Sequence, residues 1–515
     1  MRIRFYCAVV LFSSCLPLNS STVQTTISPG LRNTLNSITP AKLRGDLSFL
    51  ASDVLKGRYT PSPGLEVAAE FIAAQFREAG LEPGGDREYF QTAAMVERRM
   101  PSPSADLIVH DGIRSFAVKP KSYVFFNTSE KANLGEVPAL VFSSRDIEAF
   151  KHTDVRGKAI VVPQLDFHSM PEDKAESAYA NMIAFDDLVG ASEAALEVVV
   201  TKRDPSPASP KLFPADEISR HTVPIVLASD SELGEWVQQA NDKEVKTITL
   251  DLPAPDDKKI VVKNVVGVLR GSDPALKQTC VLLTAHYDHI GTGETAGRAA
   301  MSEPRGDDQI YNGANDDGSG TVSVIEIAKA LGKLNPHPRR SLVFMTFFGE
   351  ERGELGSKYY GKHPIFPISK TVADINLEQV GRTDSSKGKQ VNTASLTGFD
   401  YSDVTSFLRQ AGRELGVRIY KDEEGSDAYF TRSDNDALAQ LGVPAHSLTV
   451  AFEFPDYHGV GDEWQKIDYD NMARVDRMIA LGLLRIANSA TVPQWNAANP
   501  KAAPFRAARM KSLNK

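Results

Sequence analysis

The chain has 515 residues, of which 42% are hydrophobic and 24% are charged, and its formal net charge is -8. This length exceeds that of one ordinary domain, and the composition is typical of folded globular proteins. The negative charge argues against nucleic acid or an anionic membrane surface as a partner.

The amino terminus resembles an export signal. Arg2 and Arg4 give a positive start, and residues 5–12 form an apolar run that is too short to span a bilayer as a helix. We therefore expect a signal peptide at residues 1–21 and an exported protein, either periplasmic or secreted. Cys15 ends a segment similar to a lipoprotein box, which makes it a candidate lipid anchor. No other run reaches about 18 apolar residues, so the sequence predicts no transmembrane segment.

A helical segment is followed by a region of different texture. Ser62 and Pro63 are typical of a helix start, and Gly80 is typical of a helix end. Short β-type runs then recur between residues 105 and 257, separated by Pro, Asp and Gly and bounded by proline-rich linkers. The sequence therefore predicts a mostly β domain, residues 105–257, inserted into a larger one.

Predicted strands and helices alternate after residue 258. This pattern is typical of an α/β fold with a mainly parallel sheet, in which functional sites lie at the carboxyl ends of strands. Residues 40–104 and 258–490 are therefore predicted to form one α/β domain around the insert. Residues 491–515 are basic and are expected to be a flexible tail.

Ionisable residues end two of the predicted strands. His286 closes an apolar run, and Asp288, two residues on, shares its face in an extended backbone and can hold its ring. Glu350 and Glu351 follow a second apolar run, where their like charges repel each other. A cation between these segments would relieve that repulsion.

Other carboxylates and a histidine lie in turns. Asp316 and Asp317 precede a predicted helix, for which Ser319 is a candidate N-cap. Glu378 lies close to the end of another predicted strand, and His458 lies in a loop. Each motif taken alone also has an ordinary explanation, such as a helix cap, an ion pair or a hydrogen-bonded structural histidine.

The residues become informative as a set. Two histidines and three carboxylates suffice for two divalent metal ions that share one carboxylate, and zinc accepts such nitrogen and oxygen ligands. Glu350 is then left over as a base. Paired metals of this kind polarise a carbonyl and activate a water molecule.

Five segments, in their order, resemble the motifs of the di-zinc exopeptidases, the family of bacterial leucyl aminopeptidase, aminopeptidase Y and glutamate carboxypeptidase. The segments are residues 285–289, 313–320, 349–351, 376–378 and 456–458. The resemblance implies a three-layer α/β/α zinc-exopeptidase fold with a mainly parallel mixed sheet. Residues 154–162 are similar to part of the protease-associated domain that many members carry, which implies that identity for the insert.

The same resemblance implies a ligand set for two Zn²⁺ ions per chain. His286, Asp316 and Glu378 would hold one ion. Asp316, Glu351 and His458 would hold the other, so that Asp316 bridges the two.

It also implies the residues that would act on the substrate. Glu350 would be the general base and would pass its proton to the leaving amine. Asp288 would orient His286, and Tyr457 would donate to the tetrahedral oxyanion. The family's bridging aspartate precedes a cis peptide, which makes the bond between residues 316 and 317 a candidate.

Two positions depart from the family's usual pattern. Glu378 stands where many members have Asp, and Asn435 stands where many have His. The loop around Asn435 is expected to border the substrate pocket, so this change leaves specificity open. His289 receives no role from the sequence.

The sequence therefore predicts an exported metallo-exopeptidase that removes N-terminal residues from peptides with a water bridged between two zinc ions. A carboxypeptidase of the glutamate carboxypeptidase type, a single-zinc glutaminyl cyclase and a non-catalytic receptor-like protein stay open as alternatives. The five motif cores contain no Arg or Lys, which favours an N-terminal ammonium over a C-terminal carboxylate. Arg432 is the first candidate for binding a carboxylate, and the oligomeric state is not predicted.

Overall fold

The structure is a computed structural model. It describes residues 27–514 except residues 111, 113, 129, 167–169, 206–209, 218–222, 240–245, 303 and 305. The predicted signal peptide at residues 1–21, with Cys15, lies outside the described residues. Among the helices that are described, none has the length and apolar character needed to cross a membrane.

The amino-terminal part supplies three helices and two strands. These are α1 (Pro29–Asn36), α2 (Pro40–Leu50), α3 (Pro63–Glu78), β1 (Glu82–Pro83) and β2 (Phe90–Arg99). Helix α3 begins as predicted, because the side chain of Ser62 accepts a hydrogen bond from the Leu65 N–H and Pro63 takes the first helical position. Its apolar face, with Ile72 and Phe76, is buried in the main core.

The inserted part forms a second sheet with an apolar core of its own. Its strands are β3 (Leu107–His110), β4 (Ser115–Val118), β5 (Tyr123–Asn127), β6 (Ala132–Val141), β7 (Ala159–Pro163), β8 (Leu196–Val200), β9 (Lys211–Pro214), β10 (Ile225–Ala228) and β11 (Thr247–Leu252), and its helices are α4 (Ile147–Lys151), α5 (Glu172–Gly190) and α6 (Ser231–Gln239). Eight strands pair in the order β4-β3-β11-β6-β7-β8-β10-β5. Strand β9 instead pairs antiparallel with β2, which ties the insert to the edge of the main sheet.

The carboxyl-terminal part supplies the remaining elements. Its strands are β12 (Asp256–Leu269), β13 (Cys280–His286), β14 (Gly291–Thr292), β15 (Ile310–Tyr311), β16 (Ser341–Phe347), β17 (Thr371–Leu377), β18 (Asp384–Ser385), β19 (Gly388–Lys389), β20 (Thr393–Leu396), β21 (Arg418–Ile419) and β22 (Ala445–Thr449). Its helices are α7 (Gly293–Ala296), α8 (Gly320–Leu331), α9 (Leu355–Lys362), α10 (Val404–Leu415), α11 (Gly425–Ala428), α12 (Asn435–Ala439), α13 (Tyr469–Asn488) and α14 (Ala503–Leu513).

The main sheet has 10 strands in the order β21-β20-β22-β17-β13-β16-β12-β2-β9, with β1 beside β12. Strands β16, β13, β17 and β22 are parallel to their neighbours in this central group, and the flanks are largely antiparallel. Alternate residues of β13 enter apolar cores on opposite faces of the sheet, Leu283 on one side and Leu282 on the other. The predicted α/β class with a mixed sheet is therefore confirmed, and its parallel part is concentrated at the centre.

The carboxyl-terminal segment differs from the expected flexible tail at residues 491–515. It contains α14, and both Trp495 and Phe505 are buried in the second core of the main domain. The Trp495 indole N–H also donates to the Gly442 carbonyl at 2.9 Å. The prediction of a flexible tail relied on the basic composition of this segment. Two aromatic side chains, Trp495 and Phe505, outweigh that composition because they bury large apolar areas.

Candidate metal centre

The parallel strands bring the predicted site residues to one edge of the sheet. His286 is the last residue of β13 and pairs with Phe347, the last residue of the neighbouring β16. Glu350 follows β16 by three residues, and Glu378 directly follows β17 on the other side of β13. The carboxyl ends of adjacent parallel strands meet at one edge, which explains why distant segments converge there.

Asp316 lies in a π-helical turn, Ala314–Ser319, immediately before α8. The peptide bond between Asp316 and Asp317 is cis, as the resemblance implied. The buried carboxylate of Asp462 accepts hydrogen bonds from the backbone N–H groups of Asn315 and Asp316, at 3.0 and 3.1 Å. Asp462 therefore holds the backbone that presents the Asp316 carboxylate.

The helix cap is Asp317 rather than the predicted Ser319. Asp317 Oδ1 accepts from the backbone N–H groups of Gly320 and Gln379, at 3.0 and 3.2 Å. Ser319 already has helical backbone angles, and its hydroxyl donates back to the Asn315 carbonyl at 2.8 Å. A residue with that backbone conformation cannot act as an N-cap, which needs an extended one.

The two carboxylate oxygens of Asp316 face two different histidines. Oδ1 lies 3.3 Å from His286 Nε2, and Oδ2 lies 3.0 Å from His458 Nε2. Glu378 Oε1 lies 3.7 Å from His286 Nε2, whereas Glu351 Oε2 lies 3.3 Å from His458 Nε2. Asp316 thus stands between two groups of potential metal ligands.

Glu350 completes the set of predicted residues. Its Oε2 lies 3.9 Å from His286 Nε2, on the same side as Glu378. Tyr457 stacks its ring on His458, with ring centres 4.0 Å apart. The five predicted metal ligands therefore lie in one cluster with Glu350 and Tyr457.

The hydrogen bonds of the histidines test whether metal ions fit this cluster. His286 Nδ1 lies 3.2 Å from the Asp288 carbonyl oxygen, and His458 Nδ1 lies 2.8 Å from that of Ala299. A carbonyl oxygen only accepts, so Nδ1 carries the hydrogen and Nε2 of each neutral ring has a lone pair. The Nε2 atoms face carboxylate oxygens, so each of these contacts needs a proton or a metal ion between nitrogen and oxygen, and zinc accepts this donor set.

Two groups of four and three residues bring ligand atoms within 4.8 Å of one another. They are His289, Asp316, Glu351 and His458, and His286, Asp317 and Glu378. The second group contains Asp317 in place of Asp316. Because one Asp317 oxygen already accepts two backbone N–H groups, we assign the shared position to Asp316.

Electrostatics of the cluster agree with a requirement for positive charge. Burial acts to lower the pKa of His458, but Glu351 and Asp316 outweigh it and raise that pKa to about 11. Burial and Asp316 act to raise the pKa of Glu351, but His458 and His289 outweigh them and lower it to about 2. Burial raises the pKa of Glu350 well above its ordinary value, and the charges of neighbouring carboxylates add to this. Bound cations would lower the pKa of Glu350 again.

Asp288 contacts more than the histidine it was predicted to orient. Its Oδ1 lies 3.6 Å from His286 Nδ1, farther than its own backbone carbonyl oxygen. The carboxylate accepts hydrogen bonds from the Thr60 hydroxyl at 3.0 Å and from the Glu350 N–H at 3.1 Å. Asp288 therefore also fixes the backbone of the proposed base.

His289 is a site residue for which sequence reasoning found no role. It is fully buried, and its Nδ1 lies 2.8 Å from Glu351 Oε1. This contact leaves Glu351 Oε2 turned toward His458. A hydrogen bond of this kind fixes the orientation of a metal-binding carboxylate.

We predict that His289→Gln weakens zinc binding at Glu351 and His458 by ~10- to 100-fold, the usual effect of losing a residue that orients a ligand. Competition with a chromophoric zinc chelator measures this. His446→Gln is the matched control, since His446 is also buried but bonds Ser402 and Thr397. Equal zinc affinity in the two variants would remove His289 from the site.

The amino-terminal part contributes Arg58, which the sequence did not single out. It is 1% exposed and lies behind the cluster. Burial lowers the pKa of Arg58 to about 10, while the charges of Asp288 and Asp462 act in the opposite direction, so it keeps its charge at neutral pH. Only the folded chain reveals this position, because Asp288 and Asp462 are more than 200 residues from Arg58.

A cavity of about 530 Å³ adjoins the cluster and is lined by Glu378, Tyr457, Ser433 and aromatic side chains. Ser433 donates to Glu378 Oε1 at 2.5 Å. The loop expected to border the pocket does so through Arg432 and Ser433. Asn435 itself is buried, with hydrogen bonds to the Phe430 carbonyl and the Ser447 hydroxyl, so it supports the wall of the cavity.

Comparisons with known proteins agree with this geometry. Residues 264–482 match the model of peptidase family M28. A vacuolar membrane protease of Tuber melanosporum is 28% identical over 209 residues, and one of Neosartorya fischeri is 35% identical over 195 residues. These matches cover 39% and 37% of this chain but only 18% and 17% of the relatives.

A solved structure shares the fold over most of the chain. The aminopeptidase from Aneurinibacillus sp. strain AM-1 aligns with a TM-score of 0.56 at 18% identity, covering 90% of this chain and 97% of its own. Its alignment supports the zinc-exopeptidase fold class.

The predicted periplasmic or secreted location is contradicted by the curated relatives. Their names place them at a vacuolar membrane. A basic start followed by an apolar run indicates entry to a secretory route, but it does not specify the destination. On its five motifs and the match to the family model, the region 264–482 of this chain belongs to peptidase family M28.

Proposed function

We propose that the chain is a two-zinc exopeptidase that removes N-terminal residues from peptides. The observation that carries this proposal is the position of Asp316, whose two oxygens lie 3.3 and 3.0 Å from the Nε2 atoms of His286 and His458. A carboxylate placed between two histidines in this way is suited to bridge two metal ions.

His286 and Glu378 would complete the ligand set of one ion, and Glu351 and His458 that of the other, with Asp316 shared. When bound, paired zinc ions polarise a carbonyl and lower the pKa of water. His289 bonds Glu351 Oε1 and leaves Oε2 toward His458, and Ser433 donates to Glu378 Oε1, the oxygen that faces His286. The ligands are therefore oriented before a metal arrives.

Glu350 is the proposed general base. Its carboxylate lies on the His286 side of the cluster, and its backbone is fixed by Asp288. From this place Glu350 would accept a proton from the attacking water and return it to the leaving amine. It needs to be ionised to do so, and the bound cations would lower the pKa that burial raises.

Tyr457 is the proposed donor to the oxyanion. Burial raises its pKa above the ordinary value, with the charges of Asp316 and Glu351 adding to this, so the phenol keeps its proton. It lines the cavity beside Glu378, where a substrate carbonyl would lie. A protonated phenol in that place can donate a hydrogen bond as negative charge develops.

The charges around the cavity decide which end of a peptide is bound. Arg382 is paired with Asp384 and Asp456, and Arg352 donates to Tyr59 and to the Thr60 carbonyl. Neither guanidinium is therefore free to receive a substrate. The carboxylates of the cluster favour an N-terminal ammonium.

A carboxypeptidase is the second candidate, and Arg432 is the observation that favours it. Its side chain is exposed, lines the cavity and lies over the ring of Tyr429 at 5.2 Å. A guanidinium in such a place can bind a terminal carboxylate in a bidentate manner.

We predict that cleavage requires a free N-terminal amine. Matched peptides with free, N-acetylated and C-amidated ends should be digested and their products identified by mass spectrometry. N-acetylation should abolish hydrolysis, because it removes the ammonium charge, and C-amidation should leave it nearly unchanged.

Hydrolysis that survives N-acetylation but is abolished by C-amidation would identify a carboxypeptidase. In a carboxypeptidase, Arg432→Gln should abolish turnover. In an aminopeptidase, the same substitution should leave turnover nearly unchanged. No hydrolysis of any peptide by the zinc-loaded protein would instead favour a receptor-like protein.

A further inference from the structure

Within the part of the chain that the structure describes, the side chain of Arg58 bonds to backbone carbonyl groups only. Its Nε donates to the Tyr287 carbonyl at 2.8 Å, and Nη1 donates to those of Leu50 and Asn312 at 2.5 and 2.7 Å. Its Nη2 donates to the Gly313 carbonyl at 2.9 Å. One guanidinium thus joins three segments of the chain.

Two of these segments carry proposed metal ligands. Tyr287 stands directly after His286, and Gly313 is three residues before Asp316. The backbone carbonyl of Arg58 also accepts from the His289 N–H at 3.4 Å. The segment from His286 to His289 is therefore held from both the side chain and the backbone of Arg58.

The local backbone around Arg58 is built for this contact. Lys56, Gly57 and Arg58 all have positive φ, at 47°, 66° and 48°. A Cβ at Gly57 would lie 2.3 Å from the Gly291 carbonyl oxygen, so only glycine fits the close approach. Non-glycine residues in this region cost energy, and such strain persists where the surrounding structure requires it.

We propose that Arg58 is a positioning residue of the metal centre, which sets the separation of His286 and Asp316 by bonding the carbonyls of both segments. The amino-terminal part of the chain would then belong functionally to the metal centre, although the family match begins at residue 264. This inference rests on the proposed function. A lysine cannot replace Arg58, because it lacks the planar set of donors that reaches several carbonyls at once.

The test compares zinc affinity in full-length variants. Arg58→Lys and Arg58→Gln are matched with Arg340→Lys, since Arg340 is 2% exposed and donates to the Ile486 and Ser489 carbonyls at the opposite end of β16. Zinc affinity is measured by competition with a chromophoric chelator, and thermal unfolding is followed with and without zinc.

We expect both Arg58 variants to bind zinc ~10- to 100-fold more weakly than the wild type, the usual loss when ligand orientation fails. Arg340→Lys should lower Tm without changing zinc affinity. Wild-type affinity in the Arg58 variants, or an equal loss in Arg340→Lys, would overturn the proposal. So would Arg58 variants that lack a cooperative unfolding transition even in excess zinc, because Arg58 would then serve folding alone. A failure of the proposed function would be seen in the wild type itself, which would bind no zinc or cleave no peptide.

Discussion

Glu350→Gln is expected to lose most turnover while keeping both metal ions. An amide has nearly the shape of the carboxylate but cannot accept the proton of the attacking water. Loss of a general base costs ~100- to 10,000-fold, and the upper part of that range is expected because Glu350 also serves the leaving amine. Steady-state peptide hydrolysis and elemental analysis of the same preparation measure the two quantities.

Glu351→Gln is the matched control, since it makes the same change one residue along the chain. Glu351 Oε2 faces His458 and Oε1 bonds His289, so this variant should lose one metal ion. If Glu350→Gln lost the metal and Glu351→Gln kept it, the roles of the two glutamates would be reversed.

Asp316→Asn is expected to lose at least one metal ion and nearly all turnover. The neutral amide offers one acceptor oxygen and one donor group in place of two acceptor oxygens. It therefore cannot bind one ion on the His286 side and another on the His458 side. The loss of zinc affinity should exceed the ~10- to 100-fold seen when only an orienting residue is removed. Chelator competition and peptide hydrolysis test both expectations.

Asp317→Asn removes the same charge from the neighbouring residue. Asp317 caps α8 through Oδ1, an acceptor that Asn also has, so this variant should lose only the interaction of the charge with the helix N-terminus, ~0.3–1 kcal/mol, and should keep its zinc. Loss of zinc in Asp317→Asn with retention in Asp316→Asn would transfer the bridging position to Asp317.

Much of the site was predictable because its residues follow elements with clear apolar patterns. His286, Glu350 and Glu378 each come at or shortly after the end of a buried strand, and parallel strands bring such ends together. The resemblance then supplied the roles that position alone could not give.

The residues that were missed act through contacts that leave no sequence pattern. Arg58 and Asp462 bond backbone groups, which every residue has, and the metal-centre segments that they hold lie more than 100 residues away in the sequence. His289 could have been found only as a third histidine close to a metal-binding motif. The Ser319 prediction failed because a sequence does not reveal that the π-helical turn before α8 already gives this residue helical angles.

In the proposed metal centre one carboxylate, that of Asp316, is shared by two zinc ions. Anomalous diffraction from a crystal of the zinc-loaded protein, recorded on both sides of the zinc absorption edge, locates the ions and so tests this arrangement. We expect two peaks ~3.5–4 Å apart, one beside His286 and Glu378 and one beside Glu351 and His458, with one Asp316 oxygen next to each peak. A single peak, or two peaks that do not share Asp316, would contradict it.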